Sequence, residues 1–195
     1  MPKIVDHELR KAEITKAVLK SIGKNGLANT TIRGIVREGG FSSGTLAHYF
    51  SNKDDLIDFA FQAVAEDTYA RIEKRAALCT CAVDKVRVVI EELVPSPEGE
   101  IDSIISLSFW SAVPYDAKLK SKFHEVYEAT RRQIREYISE GVANKEIKLQ
   151  GELEDEVDFI VAISDGLLVS FLLDPARFPD EKHARLITAA VSRLK

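Results

Sequence analysis

Thr31, Arg33, Ser42, Ser43, Gly44, Thr45, His48 and Lys53 fall in one short stretch of the chain. Their hydroxyls, guanidinium, imidazole and ammonium are hydrogen-bond donors. Such donors suit phosphate oxygens and the edges of bases. Gly44 brings no donor, but it lets a backbone approach a ligand closely. No catalytic constellation accompanies this group. The four histidines (His7, His48, His124, His183) are scattered, without metal-ligand spacing. There is no glycine-rich phosphate loop and no serine-nucleophile elbow. The expectation is a binding protein, not an enzyme, with no metal and no cofactor.

The elements that must position these residues are helical. Apolar residues recur at helical spacing almost throughout, and no strand-like alternation has any length. The pattern predicts a first helix from about His7 to Gly23, with Ile14, Ala17, Val18 and Ile22 on one stripe and Asn25-Gly26 as its stop. A short helix follows Thr31 and ends at Gly39-Gly40. A second follows Ser42 and ends near Phe50. Asn52 then caps a long helix toward Leu78, with Asp54 and Asp55 in its first turn. Five more are expected over about 82–93, 98–113, 116–144, 152–173 and 180–194. The fold class is therefore all-α, with about nine helices.

Two short helices joined by a tight glycine turn make a helix-turn-helix. Gly40 suits the left-handed residue that ends the first, and Ser42 can cap the second. At 100° per residue, Leu46, Tyr49 and Phe50 share the inner face of the second helix. Gly44, Ala47 and His48 lie opposite, flanked by Ser43 and Thr45. That outward face is small or polar and carries no acid, as entry into a DNA major groove requires. Thr31 would cap the first helix and offer its N–H and hydroxyl to a phosphate. Arg33 and Lys53 would reach further phosphates, or in the case of Arg33 a guanine edge. The same spacing also fits a purely structural helix pair inside a small-molecule carrier.

These residues resemble the DNA-binding domain of the TetR family of bacterial transcriptional regulators. The motif reads Thr30-Thr31, Ile35-Val36, Gly39-Gly40-Phe41-Ser42-Ser43-Gly44, Leu46-Ala47-His48-Tyr49-Phe50 and Lys53-Asp54-Asp55-Leu56. The likeness covers about residues 7 to 60. Val36 and Gly39 stand in place of alanines and Phe41 in place of valine, all in the turn. Gly34 stands where many members carry an acid that completes a capping box. Ala47 stands where most carry a phosphate-contacting tyrosine, so that contact is not expected. The resemblance adds Tyr49 to the DNA-contact set, although Tyr49 also fits a core position. His48-Tyr49-Phe50 is similar to the choline-responsive repressor subgroup.

The resemblance implies a repressor: a homodimer on a palindromic double-stranded operator, controlled by an unidentified small-molecule effector in the larger domain. Residues 1–53 would form the DNA-binding unit and residues 54–195 the effector and dimerisation domain. Phe109, Trp110, Tyr115, Phe123, Tyr127 and Phe159 are candidate effector residues, because aromatic faces can hold a cation. Each also fits an ordinary core position. Asp165 interrupts the apolar run from Phe159 to Leu173 and must find a partner or shift its pKa. It can bond across a dimer or face the ligand. The second half of that helix is apolar almost all round and needs cover on more than one side.

Whole-chain figures add limits. The chain has 195 residues, a net charge of −4 and two cysteines, Cys79 and Cys81. Two thiols so close together exclude a disulfide-stapled scaffold. No apolar leader and no span of membrane length is visible, so a cytoplasmic protein is expected. The charge is unevenly spread. Residues 1–53 hold nine Lys+Arg and four Asp+Glu, or +5; residues 54–195 hold eighteen and twenty-seven, or −9. A basic end joined to an acidic remainder fits a DNA-facing unit carried by a separate sensor.

Overall fold

The computed structural model describes residues 7–47, 49–94 and 100–195. Among them the chain forms nine α-helices and no strand. They are α1 (His7–Asn29), α2 (Ile32–Gly39), α3 (Ser43–Ala47), α4 (Lys53–Ala76), α5 (Ala82–Leu93), α6 (Glu100–Ala112), α7 (Ala117–Ala143), α8 (Leu153–Leu173) and α9 (Asp180–Ser192). A 3-10 turn, Val113–Tyr115, joins α6 to α7.

Local chemistry explains most boundaries. The Asn52 side chain accepts from the Asp55 N–H at 2.9 Å, and Asp55 reaches back to the Ser51 N–H at 3.0 Å. Two N–H groups left free at the start of α4 are thereby satisfied. Asp116 starts α7 in the same way, accepting from the Leu119 N–H at 2.9 Å. Two boundaries differ from the sequence pattern. Gly26 (φ 72°, ψ 155°) kinks α1 where a stop was expected, and one further turn carries the chain to Asn29. The Thr30 N–H and hydroxyl both donate to the Gly26 carbonyl, at 3.1 and 2.9 Å, and close that turn. The second short helix is shorter than expected, with Tyr49 already in a turn.

Two apolar cores meet along α4. The first joins Ile14, Val18, Ile22, Ile35, Leu46 and Phe50 of the N-terminal unit to Leu56, Phe61 and Val64 of α4. Ile105 and Phe109 of α6 and Leu119 of α7 complete it. The second core fills the space among α5, α7, α8 and α9, with Ile72 of α4 at its edge. The first core therefore crosses residue 53, so α4 is mechanically part of both halves. Ion pairs fasten it at each end. Lys118 of α7 meets Asp55 at 3.0 Å, and Arg71 and Arg75 both bond Glu92 of α5 at 2.7 Å. No helix among the described residues is long and apolar enough to cross a membrane.

Candidate nucleic-acid interface and effector cavity

The turn between α2 and α3 is built from Gly39, Gly40 and Phe41. Gly40 is left-handed (φ 67°, ψ 22°), and its N–H returns to the Val36 carbonyl. The Phe41 N–H bonds the same carbonyl at 3.2 Å. Gly39 has a different reason to be glycine. A Cβ there would lie 2.2 Å from Phe41 Cε2 and 2.9 Å from Ala17 Cβ. The large ring at position 41 occupies the space that an alanine methyl would need. The two residues are thus one complementary pair. Gly39→Ala alone should destabilise the protein by about 1–3 kcal/mol through overpacking. Adding Phe41→Val should recover part of the loss, the Ala17 contact remaining, and a double-mutant cycle by chemical denaturation measures the coupling.

Thr31 caps α2, its Oγ1 accepting from the Gly34 N–H at 3.1 Å. The cap forms without the reciprocal acid that Gly34 lacks. Ser42 Oγ accepts from the Thr45 N–H at 3.1 Å and lies 2.8 Å from Thr45 Oγ1. Leu46 and Phe50 are buried, while Thr31, Arg33, Ser42, Gly44 and Ala47 are exposed. Tyr49 is half-buried against the first core, with its ring tilted 6.3 Å from Phe50. His48, and the side chains of Ser43 and Lys53, lie outside the described residues. The nearby acid Glu38 is matched by Lys20 at 2.8 Å and Lys24 at 3.8 Å. These lysines hold its carboxyl below the usual range, the Lys20 hydrogen bond most of all.

A cavity of about 930 Å³ lies among α4 to α8. A smaller one of about 510 Å³ adjoins it, and Trp110, Tyr127 and Asp165 line both. The Tyr127 hydroxyl sits 3.1 Å from each Asp165 oxygen and donates to that carboxylate. Phe123 stacks on Tyr127 at 3.9 Å, and Trp110 meets the Tyr127 ring edge-on at 6.3 Å. Burial pushes the Asp165 carboxyl up to about 6, against the Tyr127 bond and the charge of Arg131. Burial and the facing carboxylate push the Tyr127 hydroxyl up as well. Arg131 stands over the Tyr127 ring at 5.8 Å and spends its Nε on Asp158 at 2.8 Å. The buried Trp110 Nε1 has no hydrogen-bond partner among the described residues. A carboxylate walled by aromatic rings, with no cation bonded to it among the described residues, is equipped to receive a positively charged group.

Residues 14–59 match the family described as bacterial regulatory proteins, tetR family. Residues 82–195 match the family described as BetI-type transcriptional repressor, C-terminal. The chain belongs to the TetR family of transcriptional regulators. It is a DNA-binding regulator with an effector-binding C-terminal domain, in a family of regulators and not of enzymes. The regulator is 30% identical over its whole length to the HTH-type transcriptional regulator PksA of Bacillus subtilis, covering 94% of that protein. The fold is shared with a transcriptional regulator from Saccharomonospora viridis solved in complex with choline. The TM-score is 0.76 at 17% identity, covering 96% of this chain and 94% of that one. It is shared also with the regulator FadR from Bacillus subtilis in complex with stearoyl-CoA. There the TM-score is 0.75 at 19% identity, covering 94% and 99% of the two chains.

Of the aromatic candidates in the regulator, Trp110, Phe123 and Tyr127 come together around Asp165. The structure places three others away from both cavities. Phe109 is fully buried and stacked on Phe61 at 3.7 Å, because adjacent helical residues point 100° apart and only Trp110 turns to the cavity. Tyr115 is 90% exposed, carried outward by the 3-10 turn Val113–Tyr115 that contains Pro114. Phe159 lies six residues before Asp165, a third of a turn away round α8, where Arg193 covers its ring at 4.5 Å. The sequence reading also missed polar lining residues, among them Asp102, Ser106 and Thr130. Asp102, Ser106 and Trp110 recur at four-residue steps on α6, a helical stripe that could have disclosed them.

Proposed function

We propose that this regulator binds a palindromic operator as a homodimer and that a small organic cation in the α4–α8 cavity sets its operator affinity. Residues 1–53 read the DNA, through Thr31, Arg33, Ser42–Thr45, His48, Tyr49 and Lys53, and residues 54–195 hold the effector and the partner subunit. The observation that carries the effector class is Asp165, a carboxylate enclosed by Trp110, Phe123 and Tyr127, whose hydrogen-bond partner among the described residues is a neutral hydroxyl. A quaternary ammonium such as choline offers the matching charge and shape. The solved relative in complex with choline supports that reading.

The homodimer is supported by α8 and α9. Ala162 and Gly166 of α8 and Ala184 and Ala189 of α9 are exposed small residues that allow close helix contact across a two-fold, and the exposed Leu173 adds an apolar side chain to cover. The lever is α4, which starts beside the DNA unit and lines the cavity from Phe61 to Arg75. A ligand that favours one setting of α4 shifts the spacing of the two DNA units, and the coupling is reciprocal. The test is fluorescence anisotropy with DNA from upstream of the regulator's own gene. Affinity is expected to fall steeply and log-linearly with salt, because phosphate contacts release counterions. Choline is expected to shift the binding curve. Salt-independent binding would sink the DNA reading, and no shift with any quaternary ammonium would sink the effector reading.

A further inference from the structure

The larger cavity is built for more than one cationic head. Its volume of about 930 Å³ stands near the top of the range, roughly 300–1,000 Å³, for pockets that take drug-sized ligands. Asp102 and Trp110 both line it from α6. Eight residues separate them, which is about 12 Å along the helix axis. The aromatic site at Asp165 therefore occupies one end, and Asp102 marks the other. Val64, Val126 and Val161 add apolar lining to the same cavity.

The charged end favours a second cation over an anion. Among the described residues Arg71 and Arg75 are the only basic ones in the cavity wall, and both are engaged. Arg71 donates to Glu92 at 2.7 Å and Thr68 at 3.1 Å and is paired with Asp67. Arg75 donates to Glu92 at 2.7 Å and is paired with Glu91. An anion would have to displace carboxylates already in place. Asp102 is differently situated. Among the described residues its ion pair is to Arg71 Nη2 at 3.7 Å, beyond good hydrogen-bond distance. Burial also pushes its carboxyl up, the sign of a charge that lacks compensation. Among the described residues the wall holds seven acidic and two basic ones, a field that concentrates cations.

We infer that the effector is an extended dication, with one head in the aromatic site at Asp165, an apolar linker along α6 and the second head at Asp102. The inference rests on the cationic-effector reading above and adds the second charge and the length. The probes are decamethonium (two trimethylammonium heads on a ten-carbon chain), decyltrimethylammonium (one head on the same chain) and tetramethylammonium. Trp110 is the sole tryptophan, so intrinsic fluorescence of the full-length protein reports on the cavity directly.

Decamethonium is expected to bind at least tenfold more tightly than decyltrimethylammonium. Asp102→Asn should remove that advantage and leave tetramethylammonium affinity unchanged, and Asp102→Glu should retain it. Thermal melts establish that both variants fold, and calorimetry supplies a second readout. Equal or tighter binding of the single-headed chain would overturn the inference, as would a full dication advantage in Asp102→Asn. Should tetramethylammonium bind and the second head add nothing, only the dication fails. Should no cation bind, the effector reading fails as well.

Discussion

Gly44→Glu is expected to abolish operator binding and to leave the protein folded and its cavity intact. A Cβ at Gly44 meets nothing nearer than Ser42 Oγ at 3.9 Å, an ordinary contact. Glutamate is a far better helix former than glycine, by most of about 1 kcal/mol. It would also sit in the first turn of α3, where negative charge is favourable. The folded state should therefore be no less stable. The exposed face of α3 is another matter. A carboxylate there meets phosphates of the same sign and the acceptor edges of bases. A loss of at least a hundredfold in affinity is expected, which is about 2.8 kcal/mol. Anisotropy measures the loss. A melting temperature no lower than that of the wild type and an unchanged tryptophan response to a cation show that nothing else failed. Operator binding that survived the substitution would mean that this face does not enter the groove.

Asp165→Asn is expected to separate stability from sensing. The Asp165 carboxyl is raised from 3.8 to about 6. A raised carboxyl means that the folded state disfavours the charged form, so ionisation costs stability. The unliganded protein should lose stability as the pH climbs from 3.8 to about 6 and stay at the lower level above it. Asparagine has the same shape, can still accept from the Tyr127 hydroxyl and carries no charge. The variant should therefore melt at a higher temperature than the wild type at neutral pH. It should also bind choline or tetramethylammonium at least tenfold more weakly.

A pH series provides the sharper test. A proton and a cation compete for the same carboxylate. Wild-type affinity should be flat well above pH 6 and fall by up to tenfold per unit below it. The variant should be weak and flat throughout. A wild-type profile without that fall would exclude Asp165 as the counter-charge. Gain of stability with loss of binding is the signature of a group held for function against the preference of the fold.

The DNA-facing unit was largely legible before any coordinates. Thr31, Ser42 and Asn52 cap the helices that their positions suggested, and Gly40 takes the left-handed conformation expected of it. Asp165 stood out because a carboxylate in an apolar run has few stable outcomes. The turn was less legible. Gly39 and Phe41 read as two separate departures from the family pattern, but the ring of one fills the methyl space of the other. The aromatic set was half legible. Six residues at helical spacing were all plausible, yet three face elsewhere, into the core, into solvent or under Arg193.

The sequence by itself determined the helices, their caps, the glycine turn and the family. Those features depend on interactions within a few residues, such as side-chain oxygens on nearby N–H groups and apolar stripes repeating with the helical turn. The tertiary structure alone decided the cavity. Periodicity states which residues share a face of one helix, but not which helix stands opposite. Asp102 and Asp165 belong to one chamber only because α4, α6, α7 and α8 pack around it. Tyr127 and Asp165 are thirty-eight residues apart in the chain and 3.1 Å apart in space. That contact exists because α7 and α8 fold against each other, and the binding chemistry proposed for the cavity rests on their packing.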